Sequence, residues 1–218
     1  MMTREEILRI AKPILLNTNM VRAILDGRKT VTRRKVEFLK GKNPNWTGYV
    51  RDGHMLYNGT NEPCIKPPRY IVNDYLYVRE TIRLIDFSYI DGDWSAGVEY
   101  RADNSIGTCL HMLPKGAQER IGWRPSVHMP KEAARIFLKV TDVKVERLQD
   151  IDGIGCEREG AITINNPYIR HDKDTYDNYG RKFFSALWDS TIPKKDLKKY
   201  GWDASPWVWV IEFERVEV

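Results

Sequence analysis

Lys29 and Thr32 lie three positions apart in Gly27-Arg28-Lys29-Thr30-Val31-Thr32-Arg33-Arg34, a stretch that opens on a glycine and is otherwise strongly basic. A threonine hydroxyl becomes a nucleophile only when a base removes its proton. A lysine amine serves as that base when burial or cationic neighbours lower its pKa, and Arg28, Arg33 and Arg34 are such neighbours. In a regular strand the two side chains point to opposite faces, so the pair requires the chain still to be bending at Lys29. The plain alternative is a surface lysine beside a strand-forming threonine. Six basic residues and one acid, Asp26, occupy Arg22 to Lys35, which suits either a phosphate-bearing ligand or a solvated basic face.

The elements that must position these residues follow from hydrophobic periodicity. Asn17-Thr18-Asn19 offers an N-cap, Val21, Ile24 and Leu25 form one helical stripe, and Gly27 ends the helix in the left-handed region. A strand begins in the residues after Gly27. Residues 37–73 are rich in Gly, Asn and Pro and read as loops, an insertion or lid. Asp74 takes the turn before a strand in which Leu76, Val78, Glu80, Ile82 and Leu84 alternate with polar or aromatic residues. Residues 85–122 read as a second irregular insertion, with a hairpin around Val98 to Arg101.

Further along, Ile136, Leu138 and Val140 share one parity and Val143 and Val145 the other, predicting a strand with a bulge or turn near Thr141-Asp142. Gln149 to Gly160 is a candidate helix weakened by Gly153 and Gly155. Tyr176, Tyr179, Phe183, Phe184, Leu187 and Trp188 make an amphipathic stripe over Thr175 to Trp188, and this helix should pack on a sheet. Trp207 to Phe213 reads as a strand buried on both faces at its start. The order β, β, β, α, β fits a small barrel with peripheral helices.

With 218 residues, 42% of them hydrophobic and 11% aromatic, the chain can build a sizeable core, which excludes wholesale disorder. One domain with long insertions is expected. No apolar run approaches the roughly 20 residues needed to span a bilayer, and the N-terminus lacks an apolar leader, so the expectation is a cytoplasmic protein without membrane contact. Cys64, Cys109 and Cys156 are odd in number and widely spaced, which suits reduced thiols. His54, His111, His128 and His171 show no ligand spacing, so neither metal nor cofactor is implied. The net charge of +5 favours acidic partners without demanding them.

Asn19 to Arg34 resembles the signature of the ASCH domain, a family of PUA-like β-barrels with the motif Gly-x-Lys-x-x-Glu-x-Arg. Gly27, Lys29 and Arg34 match, and Thr32 stands at the Glu position. Small bacterial ASCH enzymes that hydrolyse N4-acetylcytidine also have Thr there, and in them the Lys, the Thr and a downstream Glu form the proposed catalytic set. Asp74 to Glu80, Trp123 to Pro130, Val140 to Ile151 and Trp202 to Val210 are similar to a larger ASCH subgroup common in phages and prophages. Aligning Leu148-Gln149-Asp150-Ile151 with the start of the helix that carries the catalytic Glu places it at Glu159, with Glu157 as the alternative.

The resemblance implies a PUA-like (ASCH) α+β, mainly β fold over 1–218, with insertions at about 37–73 and 85–122. Two function classes follow from it. The first is an amidohydrolase of N4-acylated cytidine, with Lys29 as base, Thr32 as nucleophile and Glu159 positioning the amide or protonating the leaving amine. Gly27, Arg28, Arg34 and Arg79 would surround the ligand, Arg79 being equally suited to a structural ion pair. The second is an RNA- or DNA-binding module without chemistry, to which Trp123 and Trp202 would add stacking surfaces while Trp207 and Trp209 fill the core. No protein partner is implied.

Overall fold

The computed structural model describes residues 2–42, 50–51, 55–56, 62–90, 92–113, 116–119, 122–162 and 171–218. In chain order the elements are α1 (Arg4–Ile10), β1 (Lys12–Leu15), α2 (Thr18–Leu25), β2 (Val31–Lys35), the short strands β3 (Val50–Arg51) and β4 (Met55–Leu56), β5 (Tyr75–Arg79), β6 (Ile82–Ile90), β7 (Asp93–Tyr100), β8 (Ile106–Leu113), β9 (Phe137–Arg147), α3 (Gly153–Arg158), α4 (Lys173–Thr191), α5 (Leu197–Tyr200) and β10 (Trp207–Val216). The chain is α+β. It divides into two compact units, Met1–Asp26 with Asp74–Lys139 and Glu214–Val218, and Gly27–Asn73 with Val140–Phe213.

In the first unit α1 starts at a capping box, Glu6 N–H donating to Thr3 Oγ1 at 3.3 Å and Thr3 N–H to Glu6 Oε2 at 2.7 Å. Strand β1 runs parallel to β5, and β5 pairs antiparallel with the start of β9 through Leu76 and Leu138. The predicted strand over 75–84 is two strands, because the chain leaves the first sheet at Glu80-Thr81 and enters another as β6. Its burial alternation survives the break. Leu76, Val78, Glu80, Ile82 and Leu84 are all buried.

Residues 85–122, expected to be irregular, supply most of an antiparallel meander β6-β7-β8. Its register shifts between Ile85 and Ser88 and again opposite Trp94 to Val98, which erases the strict period of two that marks a strand in sequence. The turn after β7 covers Arg101 to Asp103, at the end of the expected hairpin. Tyr100, Phe137, Ile7 and Met129 fill the core of this unit.

In the second unit β10 lies between β9 and β2, with Val210 opposite Arg33 and Ile211 opposite Thr32. Val208 to Ile211 are buried consecutively, as the apolar run requires. The face carrying Val31, Val208 and Val210 is covered by Tyr176, Phe184 and Trp188 of α4. The inward stripe of α4 is thus Tyr176, Gly180, Phe184 and Trp188. Tyr179 and Phe183 of the predicted stripe are instead 38% and 44% exposed and pack on each other with ring centroids 4.8 Å apart.

Glycines explain that rotation of α4. A Cβ at Gly180 would lie 3.1 Å from Cys156 Cβ, and one at Gly153 would lie 2.3 Å from Tyr176 Cδ1, so α3 and α4 approach through their glycines. Burial along β9 changes parity across Thr141-Asp142, as its sequence predicts. The expected closed barrel is not formed by the described strands. In each unit a strand pairs on one side only, β1 with β5 and β2 with β10, which leaves open edges.

Candidate functional site

Asn17 Oδ1 accepts from Met20 N–H at 2.9 Å and caps α2, and Gly27 follows the helix with φ +73°. That conformation is what glycine supplies here, since a Cβ at Gly27 would meet open space. The chain is not yet a strand at Arg28 to Thr30. Thr30 N–H donates to Arg158 O and Phe213 N–H to Thr30 O, both at 2.9 Å, which ties this stretch to the end of α3 and to β10.

Between these ties Lys29 turns inward. Its ammonium donates to Glu159 Oε2 at 2.7 Å, to Glu159 O at 2.8 Å and to Val31 O at 2.7 Å, which uses all three of its N–H groups. Lys29 and Glu159 are only 2% and 3% exposed. Burial lowers the Lys29 pKa from its ordinary value, against the pull of the Glu159 carboxylate. Glu159 is the C-cap residue of α3, whose N-terminus is set by Asp152 Oδ1 accepting from Gly155 N–H at 2.6 Å.

Arg33 extends the cluster. Nη1 donates to Glu159 Oε1 at 3.2 Å, while Nε and Nη2 donate to Glu146 Oε1 at 2.9 and 2.6 Å. Arg158 makes a second pair, donating to Glu212 Oε1 at 3.3 Å and Oε2 at 2.7 Å. Arg33, Glu146, Arg158 and Glu212 line a cavity of about 220 Å³ walled by Val31 and Ile151. Glu146 and Glu212 were not singled out from the sequence; the signal was their place on strands, paired in space with the basic motif.

The structure therefore brings Lys29 and Glu159 into direct contact, while Thr32 hydrogen-bonds Arg34 instead of either. Thr32, 1% exposed, accepts from Arg34 Nη1 at 2.9 Å, and Arg34 also donates to Arg33 O at 3.1 Å. Thr32 and Arg34 alternate with Val31 and Arg33 along β2, yet the Arg34 guanidinium, its pKa lowered by burial, still interacts electrostatically with Lys29 and Glu159. Gly27 is exposed and Arg28 half-buried. Arg79 belongs to the first unit, where Nε donates to Met129 O at 3.0 Å and Nη2 to Val127 O. Glu157, the alternative to Glu159, is half-buried on α3.

The run Arg22 to Lys35 is not one basic face. Lys29 and Arg33 are inside and paired with acids, Arg22 donates to Ala102 O at 2.6 Å within the first unit, and of the last four residues of β2 only Lys35 is exposed. Among the described residues no three His, Cys, Asp or Glu side chains group as metal ligands, and no helix is long and apolar enough to cross a membrane. His54 and residues 163–170 lie outside the described residues. Comparison with protein-family models, curated proteins and solved structures finds no match to this chain.

Proposed function

We propose that this chain is an ASCH-like, PUA-like protein of the cytoplasm that binds nucleic acid or a modified nucleoside, taking a base into the cavity beside β2. One observation carries the reading: Arg33 lines that cavity and also bonds Glu159, so the motif residues form the wall behind a ligand-sized space. The volume of about 220 Å³ lies below that of drug-sized sites, roughly 300–1,000 Å³, and suits a single base or nucleoside. A base edge presents donors and acceptors side by side. Arg33 and Glu146 present the complement, since among the described residues Glu146 accepts through Oε1, which leaves Oε2 for a ligand. Lys29 and Glu159 act in this reading by holding the guanidinium in place.

A second reading, hydrolysis of N4-acylated cytidine, is favoured by the contact between Lys29 and Glu159, two members of the set the resemblance names. It requires Lys29 to lose a proton and with it one of its three acceptors, because a base needs a free lone pair, whereas Thr32 only accepts from Arg34 and keeps its hydroxyl proton to give. Calorimetric titration with cytidine and N4-acetylcytidine, with mass spectrometry for released cytidine, separates the two. Binding that is lost in Glu146→Gln without cytidine release supports the first reading. Release abolished in both Lys29→Ala and Thr32→Ala, with folding intact, replaces it by the second, and no binding of either nucleoside overturns both.

A further inference from the structure

Five exposed lysines of the second unit make no ion pair among the described residues: Lys35 at the end of β2, whose charge still reaches Glu37; Lys194 and Lys195 in the 3₁₀ turn before α5; and Lys198 and Lys199 within α5. Two are gathered on one ring. Lys35 Nζ lies 4.5 Å and Lys199 Nζ 5.0 Å from the Tyr200 ring centroid. The backbone that carries the ring is fixed, as Trp188 Nε1 donates to Tyr200 O at 2.7 Å and Gly201 N–H closes the helix on Leu197 O at 2.8 Å.

The acids at hand are outnumbered, Asp196 and Asp203 lying beside the lysines while Asp189 and Glu37 are engaged by other groups. Asp196 is the sole acid between Lys194 and Lys199. Asp189 accepts from Trp202 N–H at 2.8 Å, and Glu37, next to the end of β2, is held by Lys66 at 2.6 Å. Lysines gathered in excess of counter-charge repel one another, and a polyanion relieves that repulsion. The footprint is narrow. Lys194 to Lys199 advance only about 8–10 Å along their helical axis, at roughly 1.5–2.0 Å per residue. That length spans a few successive phosphates of one strand, so no second strand is needed to fill it.

We propose that the lysines around Tyr200 bind the sugar–phosphate backbone of single-stranded nucleic acid, without reading sequence. This rests on the nucleic-acid reading above and extends it from a free nucleoside to a polymer. Cation–π contact with Tyr200 orients two ammonium groups before any strand arrives, which lowers the ordering cost of the contact.

The test titrates the full chain with fluorescent oligo(U) and oligo(dT) at several salt concentrations, beside a Lys194→Gln/Lys195→Gln/Lys198→Gln/Lys199→Gln variant and a poly-glutamate competitor. Each lysine on a phosphate adds about 0.7 to the slope of log K against log salt, so the variant's slope should be shallower by up to about 2.8. Its affinity should fall on the order of 100-fold at about 0.1 M salt. Cytidine binding to the cavity should be unchanged, and so should thermal melting. Strand binding with the same slope in the variant, no strand binding by the wild type, or displacement by poly-glutamate as effective as by RNA each overturns the proposal. Loss of cytidine binding with lysine-dependent strand binding intact overturns the cavity reading alone.

Discussion

Lys29 Nζ meets Glu159 Oε2 at 2.7 Å across a sequence separation of 130 residues, with both side chains almost wholly removed from solvent. Two charges buried together regain by mutual attraction roughly what they lose in hydration, so such a pair adds little net stability. Its consequence is positional. Glu159 has one oxygen on Lys29 and the other on Arg33, and Arg33 continues to Glu146 at the cavity. A displacement of Lys29 is therefore transmitted to the cavity wall through two ionic contacts and one planar guanidinium.

Removing one end of the pair is costly where removing both is mild. Lys29→Met leaves Glu159 with Arg33 at 3.2 Å as its remaining hydrogen-bonded cation, and is expected to destabilise by about 3–5 kcal/mol. Lys29→Met with Glu159→Leu should recover most of that loss, giving a coupling above about 1 kcal/mol in urea unfolding. The pH dependence has a fixed sign. Because burial holds the folded Lys29 pKa below 10.5, the unfolded chain binds more protons as pH approaches 10.5, and wild-type stability rises relative to Lys29→Met in that alkaline window. A gap that narrows with rising pH contradicts this account.

The parts of the site legible in sequence are those fixed by local chemistry or by the resemblance. Asn17 as a cap and Gly27 as a left-handed residue follow from side-chain hydrogen bonding and from the absence of a Cβ. The resemblance singles out Glu159 with Glu157 as the alternative, and it is Glu159 that meets Lys29 Nζ, a contact no local pattern encodes. Three other features depend on tertiary context. The meander β6-β7-β8 hides because bulges break its alternation. The outward turn of Tyr179 and Phe183 is set by Gly153 and Gly180 on facing helices, so hydrophobicity alone chooses the wrong stripe. The basic run divides because Arg33 and Lys29 face acids contributed by β9 and α3, more than a hundred positions away.

Gly153 reads as a weakness in a helix and works as a contact. A Cβ there would fall 2.3 Å from Tyr176 Cδ1 and 2.5 Å from Cε1, inside any tolerable separation. Gly153→Ala improves helix propensity by up to about 1 kcal/mol, yet forces α3 and α4 apart. The expected net effect is a loss of about 1–3 kcal/mol in urea unfolding, typical of overpacking. Gly153→Ala combined with Tyr176→Leu should regain part of it, since the obstructing ring is gone. Stabilisation by Gly153→Ala alone would show that the two helices do not pack this closely.

Cys156 lies on α3 with no exposed surface, and burial pushes its thiol pKa up to about 12. The thiolate is the reacting form, so the native protein should resist iodoacetamide at Cys156 at pH 8. Alkylation should appear there only in denaturant, read by peptide mass spectrometry. Rapid native labelling would mean that α3 opens far more readily than its packing allows.

In the first unit Glu80 is 1% exposed, and Arg135 donates to its two oxygens at 2.8 and 2.9 Å. The same guanidinium reaches Asp103 Oδ2 at 2.8 Å and stacks 4.0 Å from the Tyr100 ring centroid. Burial raises the Glu80 pKa above its ordinary value even with Arg135 in place. Arg135→Met removes that partner and raises it further, so the variant should lose about 3–5 kcal/mol at pH 7. The sign with pH follows from linkage. A raised carboxyl pKa means that the folded chain binds more protons than the unfolded one above pH 4.5, so stability falls as pH rises through that range and is regained on acidification. The gap between wild type and Arg135→Met should shrink steadily from pH 7 toward pH 4.5. Asp103, whose pKa is held near 2 as hydrogen bonds from Arg135 and Ser105 outweigh its desolvation, titrates below that window. A gap independent of pH would assign the loss to packing on Tyr100 and not to the buried charge.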